Sequence, residues 1–462
     1  MVDLMRAATA TSWAASRSME SYFHDLAAVL DGLLAPGEAY TASFAAECSD
    51  FVRMNRGKVR QPGSVVQRYL DVDLIRGERH AAHRLSLAGD PAADVAAIAA
   101  AVAGLRAALP DLADDPHLLY ATEPHSTRDV RGGPLPPAEA IVDAVLGAAG
   151  GLDLVGIYAG GPVYRGFANS LGQRNWHEAT TYNLQWSLYH RADKAVKSAL
   201  AGLAWDPAAF AAKMKDAQAL LAHLAQPARQ LEPGRCRAYL APSAMEEVLG
   251  LLCWNGFSAR ALATKRSPLA RMHGADAACL DARVAIAEAI VDGVAPGFQA
   301  EGFARPPRIP LLEAGRLVGA LTSPRTAREF GDAVGPTNGA NAHESPEALA
   351  MAGGSLAARD AMAALDTGLY VSNLWYLNYS DRSACRMTGM TRFATFWVEG
   401  GRIVAPVDVL RFDDTLYRML GTNLEALTAE TELMLESVTY GERALSGMRV
   451  PGALLSELTF TL

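Results

Sequence analysis

The 462-residue sequence lacks most of the features that would place it quickly. No run approaches the roughly 18 uninterrupted apolar residues of a membrane-spanning helix. No cluster of lysine and arginine is present. Forty-two basic against fifty acidic side chains leave a formal charge of −8, so nucleic acid and anionic membrane are poor partners. Cysteine is scarce. Five residues, an odd number, lie far apart at 48, 236, 253, 279 and 385. That spacing argues for reduced thiols in a cytoplasmic protein rather than a disulfide framework. The Ala/Thr-rich stretch Met1 to Arg17 lacks a basic region followed by an apolar one, so no signal peptide is read. Also missing are Gly-x-x-x-x-Gly-Lys-Ser/Thr, a Gly-x-Gly-x-x-Gly after a strand, and a Gly-x-Ser-x-Gly elbow. What is plentiful is apolar: half the residues are hydrophobic and only 20% are charged. Such a chain can bury a large core, and its length suggests two or three domains.

The hydrophobic pattern predicts an α+β protein. Ser18 to Leu34 carries Met19, Tyr22, Phe23, Leu26, Val29, Leu30 and Leu33 at helical spacing, then stops at Pro36-Gly37. From Ser49 to Leu87, short β-rich runs broken at Arg56-Gly57, Pro62-Gly63 and Arg76-Gly77 predict an antiparallel meander. Helices are expected over Asp94 to Leu109, Pro137 to Ala149 and Pro207 to Ala225, with an exposed loop at Asp111 to Pro137. Strands are expected at Leu154 to Ala159, Val163 to Asn169 and Ala179 to His190. Pro227 and Pro233-Gly234 mark a boundary within Gln226 to Gly234, giving domains 1–232 and 233–462. Beyond it, Arg235 to Leu240 reads as a strand. Ser243 with Glu246 reads as a capping box opening a helix towards Trp254. Strands follow at Gly368 to Leu377, Arg392 to Glu399, Arg402 to Val409 and Pro451 to Leu462, with one late helix at Thr422 to Leu435. The expectation is an N-terminal α/β domain with an antiparallel sheet and flanking helices, then a mostly-β, barrel-like C-terminal domain.

Residues capable of chemistry are present but form no constellation. A helical His-Glu-x-x-His would set two zinc ligands beside a general base. His177-Glu178 continues into a β-rich run with no second histidine, and His343-Glu344 meets Pro346; both read as surface or loop histidines. Cys236, Cys253, His273 and Cys279 match no zinc-module spacing. Glu246-Glu247 reads as the first turn of a helix, Asp413-Asp414 as a solvated loop, and Tyr182, Trp186 and Tyr189 as a core-packing face.

Several segments, in order, resemble the TldD/PmbA family. They are Phe51 to Gln61, Gly166 to Gly172, Leu231 to Gly234, Leu240 to Ala244, Leu311 to Leu317, Leu321 to Ala327, Gly335 to Gly339, Gly368 to Val371 and Phe396 to Ile403. The resemblance covers roughly residues 40 to 462 and implies two-domain protomers that dimerise around a hollow. It further implies a catalytic TldD subunit that cleaves unfolded peptides with zinc, held by a helical His-Glu-x-x-x-His and a late cysteine. The partner, TldE/PmbA, lacks those ligands. Here the corresponding helix, Glu247 to Asn255, contains no histidine, and the late segment Val438 to Glu442 contains no cysteine. The chain therefore resembles the metal-free subunit: no catalytic, cofactor or metal residue is assigned to it, and zinc is expected in a TldD-like partner. One departure stands at Asp381 to Gly389, which makes Cys385 a candidate to face the cleft. Two other readings stay open: a non-hydrolytic peptide-binding homodimer, and a thiol enzyme using Cys385.

Overall fold

Ser18 opens the first helix, α1 (Met19–Leu33), its hydroxyl accepting from the Ser21 amide. The computed structural model describes residues 18–191, 194–273, 277–439 and 441–461. The expectation for Met1 to Arg17 lies outside them, as does Tyr440 of the late segment. The meander follows as β1 (Ala39–Asn55), β2 (Lys58–Arg76) and β3 (Arg79–Ser86), paired antiparallel. Arg56 and Gly57 both take positive φ, 53° and 64°, the two-residue turn whose twist suits a hairpin.

Next come α2 (Pro91–Ala108), capped by Asp90, then β4 (Thr127–Arg131), α3 (Ala138–Ala149), β5 (Asp153–Asn169), β6 (Arg174–Arg191), β7 (Lys194–Gly202) and α4 (Pro207–Leu224). The sheet order is β3-β2-β1-β5-β6-β4, with β7 also on β6. Alternation divides its two faces. Even-numbered side chains such as Phe44, Leu70 and Trp176 pack with Phe23 and Ile98 under α1 and α2. Tyr158, Tyr182 and Trp186 pack under α3 and α4. Odd-numbered side chains turn towards the C-terminal half, where Val163 and Ala179 meet Val294 and Leu435. Pro91 to Asp111 is long and apolar enough to cross a membrane by length and composition. Here it lies on the sheet through Ile98, Val102 and Leu105.

The second half starts with β8 (Gly234–Leu240), α5 (Pro242–Leu252) and α6 (Ala259–Ala263). Short strands β9 (Ile286–Glu288), β10 (Ile309–Glu313), β11 (Arg316–Leu317) and β12 (Ala348–Met351) are interleaved with α7 (Pro324–Phe330) and followed by α8 (Ala361–Leu365). The long strands are β13 (Gly368–Asp381), β14 (Arg386–Glu399), β15 (Arg402–Pro406), β16 (Arg411–Thr415), β17 (Leu424–Leu435) and β18 (Gly447–Phe460). β18 is the hub. It pairs with β12, β16, β17 and β8, so the path β8-β13-β14-β16-β18 returns to β8 and closes a barrel. Phe412, Leu420, Leu455 and Leu458 fill the interior beside Met245 and Leu249 of α5. The two halves share packing: Phe210 and Met214 of α4 meet Phe396 of β14. Arg229 stacks on Trp397 and pairs with Glu399 at 2.8 Å.

Several local expectations are corrected. Thr422 to Leu435 is not a helix. Its Leu, Ala and Glu favour one, but pairing along β18 and burial of Leu427, Met434 and Leu435 override propensity. Pro62-Gly63 does not interrupt β2, because β3 pairs only from Tyr69 onward and the proline lies on an open edge, where no donor is missed. Leu154 to Asn169 is one strand rather than two. Ser243 is not a cap; Pro242 enters the helix first, with Ala241 at the N-cap.

Candidate functional site

α5 has two faces. Met245, Val248, Leu249 and Leu252 are buried in the barrel core, while Glu246, Glu247, Gly250 and Leu251 border a cavity of about 410 Å³. The opposite wall comes from Met434, Glu436 and Ser437 at the end of β17 and from Gly447 and Met448 at the start of β18. The helix end is held by Tyr379, whose hydroxyl donates to the Leu251 carbonyl at 3.0 Å, and by Arg382, which donates to the Trp254 carbonyl at 2.8 Å. Trp254 and Leu377 border the opening; Trp254 is 59% exposed.

The electrostatics of this cavity are one-sided. Burial, reinforced by Glu247, pushes the Glu246 carboxyl up to about 7, with Lys197 opposing. Burial also raises Glu247, again against Lys197. Glu432 is neutralised by Lys213 at 2.5 Å. Beyond Ser437 the chain is anchored by Arg443, only 5% exposed. Its guanidinium donates to the Gly161 carbonyl at 3.0 Å, to Ser49 Oγ at 3.2 Å and to the Thr181 carbonyl and hydroxyl at 2.9 and 2.6 Å. A cation among four oxygens of the first sheet fixes the segment that closes the cavity.

The sequence candidates do not assemble there. Among the described residues, no three His, Cys, Asp or Glu side chains converge at metal-binding distance. His177 is not a surface residue but fully buried on β6, with Nδ1 3.1 Å from Asp129 and Nε2 3.0 Å from the Val294 carbonyl. Burial lowers its basicity. An odd-numbered position on a two-sided buried strand explains the misreading. His343 is exposed, but Glu344 is buried, accepting from Ser258 Oγ and from the Arg260 and Ser323 amides. Asp413-Asp414 is no solvated loop. Both lie on β16, Asp413 paired with Arg386 at 2.7 Å and Asp414 bonded to Thr459 and Arg418. Glu246 and Glu247 lie past the first helical turn. Tyr182 and Trp186 are core residues as expected, and Tyr189 falls on the other face.

Cys385 does not face a cleft. It is fully buried in the barrel core, in the β13–β14 turn at φ 46°, and burial pushes its thiol up to about 12. Burial likewise pushes Cys253 up to about 12. Neither is a ready thiolate. The signal for the cavity itself was the carboxylate pair on α5; nothing in the sequence linked it to Ser437 or Arg443.

The profile of the "PmbA/TldA metallopeptidase C-terminal domain" matches residues 233–462. The chain belongs to the PmbA/TldD family. Solved structures agree in fold. TldE from Thermococcus kodakarensis superposes with a TM-score of 0.75 at 14% identity, covering 95% of this chain and 100% of that one. A protein from Thermotoga maritima, described as a candidate modulator of a DNA gyrase, gives 0.73 at 13% identity over 96% and 100%. A similarly described protein from Bacteroides thetaiotaomicron gives 0.71 at 15% over 96% and 98%. No curated protein matches by sequence. The residues bordering this cavity do not fit the family's zinc: α5 offers Glu246, Glu247 and Leu251, the facing segment Glu436 and Ser437, Cys253 is a thiol that burial keeps protonated, and no three such donors converge among the described residues.

Proposed function

We propose that this PmbA/TldD-family chain is the metal-free subunit of a two-subunit zinc peptidase that cleaves unfolded peptides. The observation that carries it is the cavity face of α5. A His-Glu-x-x-x-His motif needs positions i, i+1 and i+5; the cavity-lining residues at that spacing are Glu246, Glu247 and Leu251. A catalytic zinc takes three protein ligands and an open position for water. Carboxylate, carboxylate and an alkyl chain on one helix do not supply them. What this chain supplies instead is a shaped chamber and sheet edges to which an extended backbone can add with little demand on sequence. The zinc belongs to a TldD-like partner, and five free, dispersed cysteines fit a cytoplasmic setting. On the same reading the two sheets are two domains, 1–232 and 233–462.

Elemental analysis of the purified chain tests the metal assignment directly. Far less than one zinc per chain, unchanged after incubation with zinc and desalting, is expected. Tight binding of about one equivalent would refute it.

A further inference from the structure

The odd-numbered face of the first sheet builds a second cavity, about 360 Å³, against the 295–300 loop and the segment after β17. Register forms its floor. Arg84 stands opposite Asp71 and Asp71 opposite Ser43; two residues along the same face, Ala45 stands opposite Arg165. Two guanidiniums from β3 and β5 thus face one space. Between them hangs the Glu442 carboxylate, 3.6 Å from Arg84 and 3.5 Å from Arg165. Its Oε2 is buried and makes no hydrogen bond. Across the cavity Gln299, 7% exposed, accepts the Glu301 amide through its oxygen, and its side-chain amide lies beside the Glu301 carboxylate. The space therefore holds two cations around a carboxylate that is badly placed for both.

We propose that this cavity is a receptor for a carboxylate borne by an extended peptide, clamped by Arg84 and Arg165 in the place Glu442 now occupies. Charge decides the sign of the ligand. Asp71 offsets Arg84 at 3.3 Å, and Glu347 shares Arg305 with the buried Glu288, which leaves Glu442 as the carboxylate facing Arg165. When Glu442 swings out, the Arg165 guanidinium loses its carboxylate partner, and a ligand carboxylate takes that place with better geometry than Glu442 has. The remaining lining favours a carbon-borne anion over a free inorganic one: Pro296, Phe298 and Leu445 border the same space, whose volume is that of a small-ligand pocket. That the bearer is a peptide rests on the proposed function; carboxylate recognition does not. The carboxylate comes either from a peptide C-terminus or from an Asp or Glu side chain.

Fluorescence anisotropy with the full chain alone separates these cases. Three labelled, unstructured peptides share one uncharged sequence: one with a free C-terminus, one amidated, and one amidated with a single internal glutamate. At least one carboxylate-bearing peptide is expected to bind about tenfold more tightly than the amidated one. Which of the two does so identifies the source. Arg84→Ala and Arg165→Ala each abolish that preference, and Glu442→Gln strengthens it several-fold by removing the internal competitor. Arg84 is half exposed, so its variant serves if Arg165→Ala does not fold. Equal affinity for all three peptides, no binding by any, or a preference that survives both arginine variants overturns the proposal. Failure of the subunit assignment would show instead in zinc content and cleavage, with this preference untouched.

Discussion

Replacing Glu246 by glutamine should stabilise the protein, and only at neutral to alkaline pH. Burial and the neighbouring Glu247 move the Glu246 carboxyl from 4.5 to about 7. Below pH 4.5 the group is protonated in both the folded and the unfolded chain, and folding carries no penalty from it. As pH rises from 4.5 the unfolded chain ionises first, so stability falls; above about 7 the folded chain has ionised too, and the loss levels off. At about 1.4 kcal/mol per pH unit the plateau is at most ~3 kcal/mol, and partial solvent access to the carboxylate reduces this to about 1–2 kcal/mol. Glu246→Gln keeps the shape and removes the charge. Urea denaturation followed by far-ultraviolet circular dichroism should give a gain of about 1–2 kcal/mol at pH 8, falling towards zero near pH 5. Lys197→Met should act oppositely, because Lys197 is the cation that eases both glutamates. A gain equal at both pH values, or a loss at pH 8, would refute the claim that ionised Glu246 is strained in the cavity.

Other expectations follow from the buried groups. Arg305, almost fully buried, donates to the buried Glu288 at 2.7 Å; Arg305→Ala strands that carboxylate and should cost about 3–5 kcal/mol in urea denaturation. His177 is held neutral by burial, its folded pKa lying below the usual 6.5. Stability should therefore decline as pH falls below about 6.5, and His177→Asn should flatten that decline in thermal melts taken from pH 7.5 to 5. Thiol modification mapped by mass spectrometry should label exposed Cys279 in the native protein and reach Cys385 only on unfolding; early labelling of Cys385 would contradict its burial.

Local signals in the sequence carried far where the chemistry was local. Ser18 capping α1, the Arg56-Gly57 hairpin and the Gly150 stop after α3, where φ is 59°, are each decided within a few residues. The failures are contacts distant in sequence. β17 reads as a helix until its pairing with β18 is known, because leucine, alanine and glutamate follow propensity only when no partner strand is present. His177 reads as a surface residue because strand periodicity shows alternation, not that both faces of β6 are covered. Of the candidate site, the Glu246-Glu247 pair and the missing histidines were legible. Arg443 was not: an isolated arginine gives no hint that four oxygens from β1, β5 and β6 surround it.

The central claim is that this chain builds the chamber and a partner brings the metal. A peptidase assay on an unstructured peptide tests it most directly: this chain alone, a His-Glu-x-x-x-His paralogue from the same source alone, and the two mixed, each with and without chelator. No cleavage is expected from this chain alone, because the cavity face of α5 presents Glu246, Glu247 and Leu251 where the motif needs His, Glu and His. The mixture should form a stable pair whose cleavage the chelator abolishes, and Cys385→Ala should leave that cleavage intact. Cleavage by this chain by itself, whether stopped by chelator or resistant to it, would contradict the account.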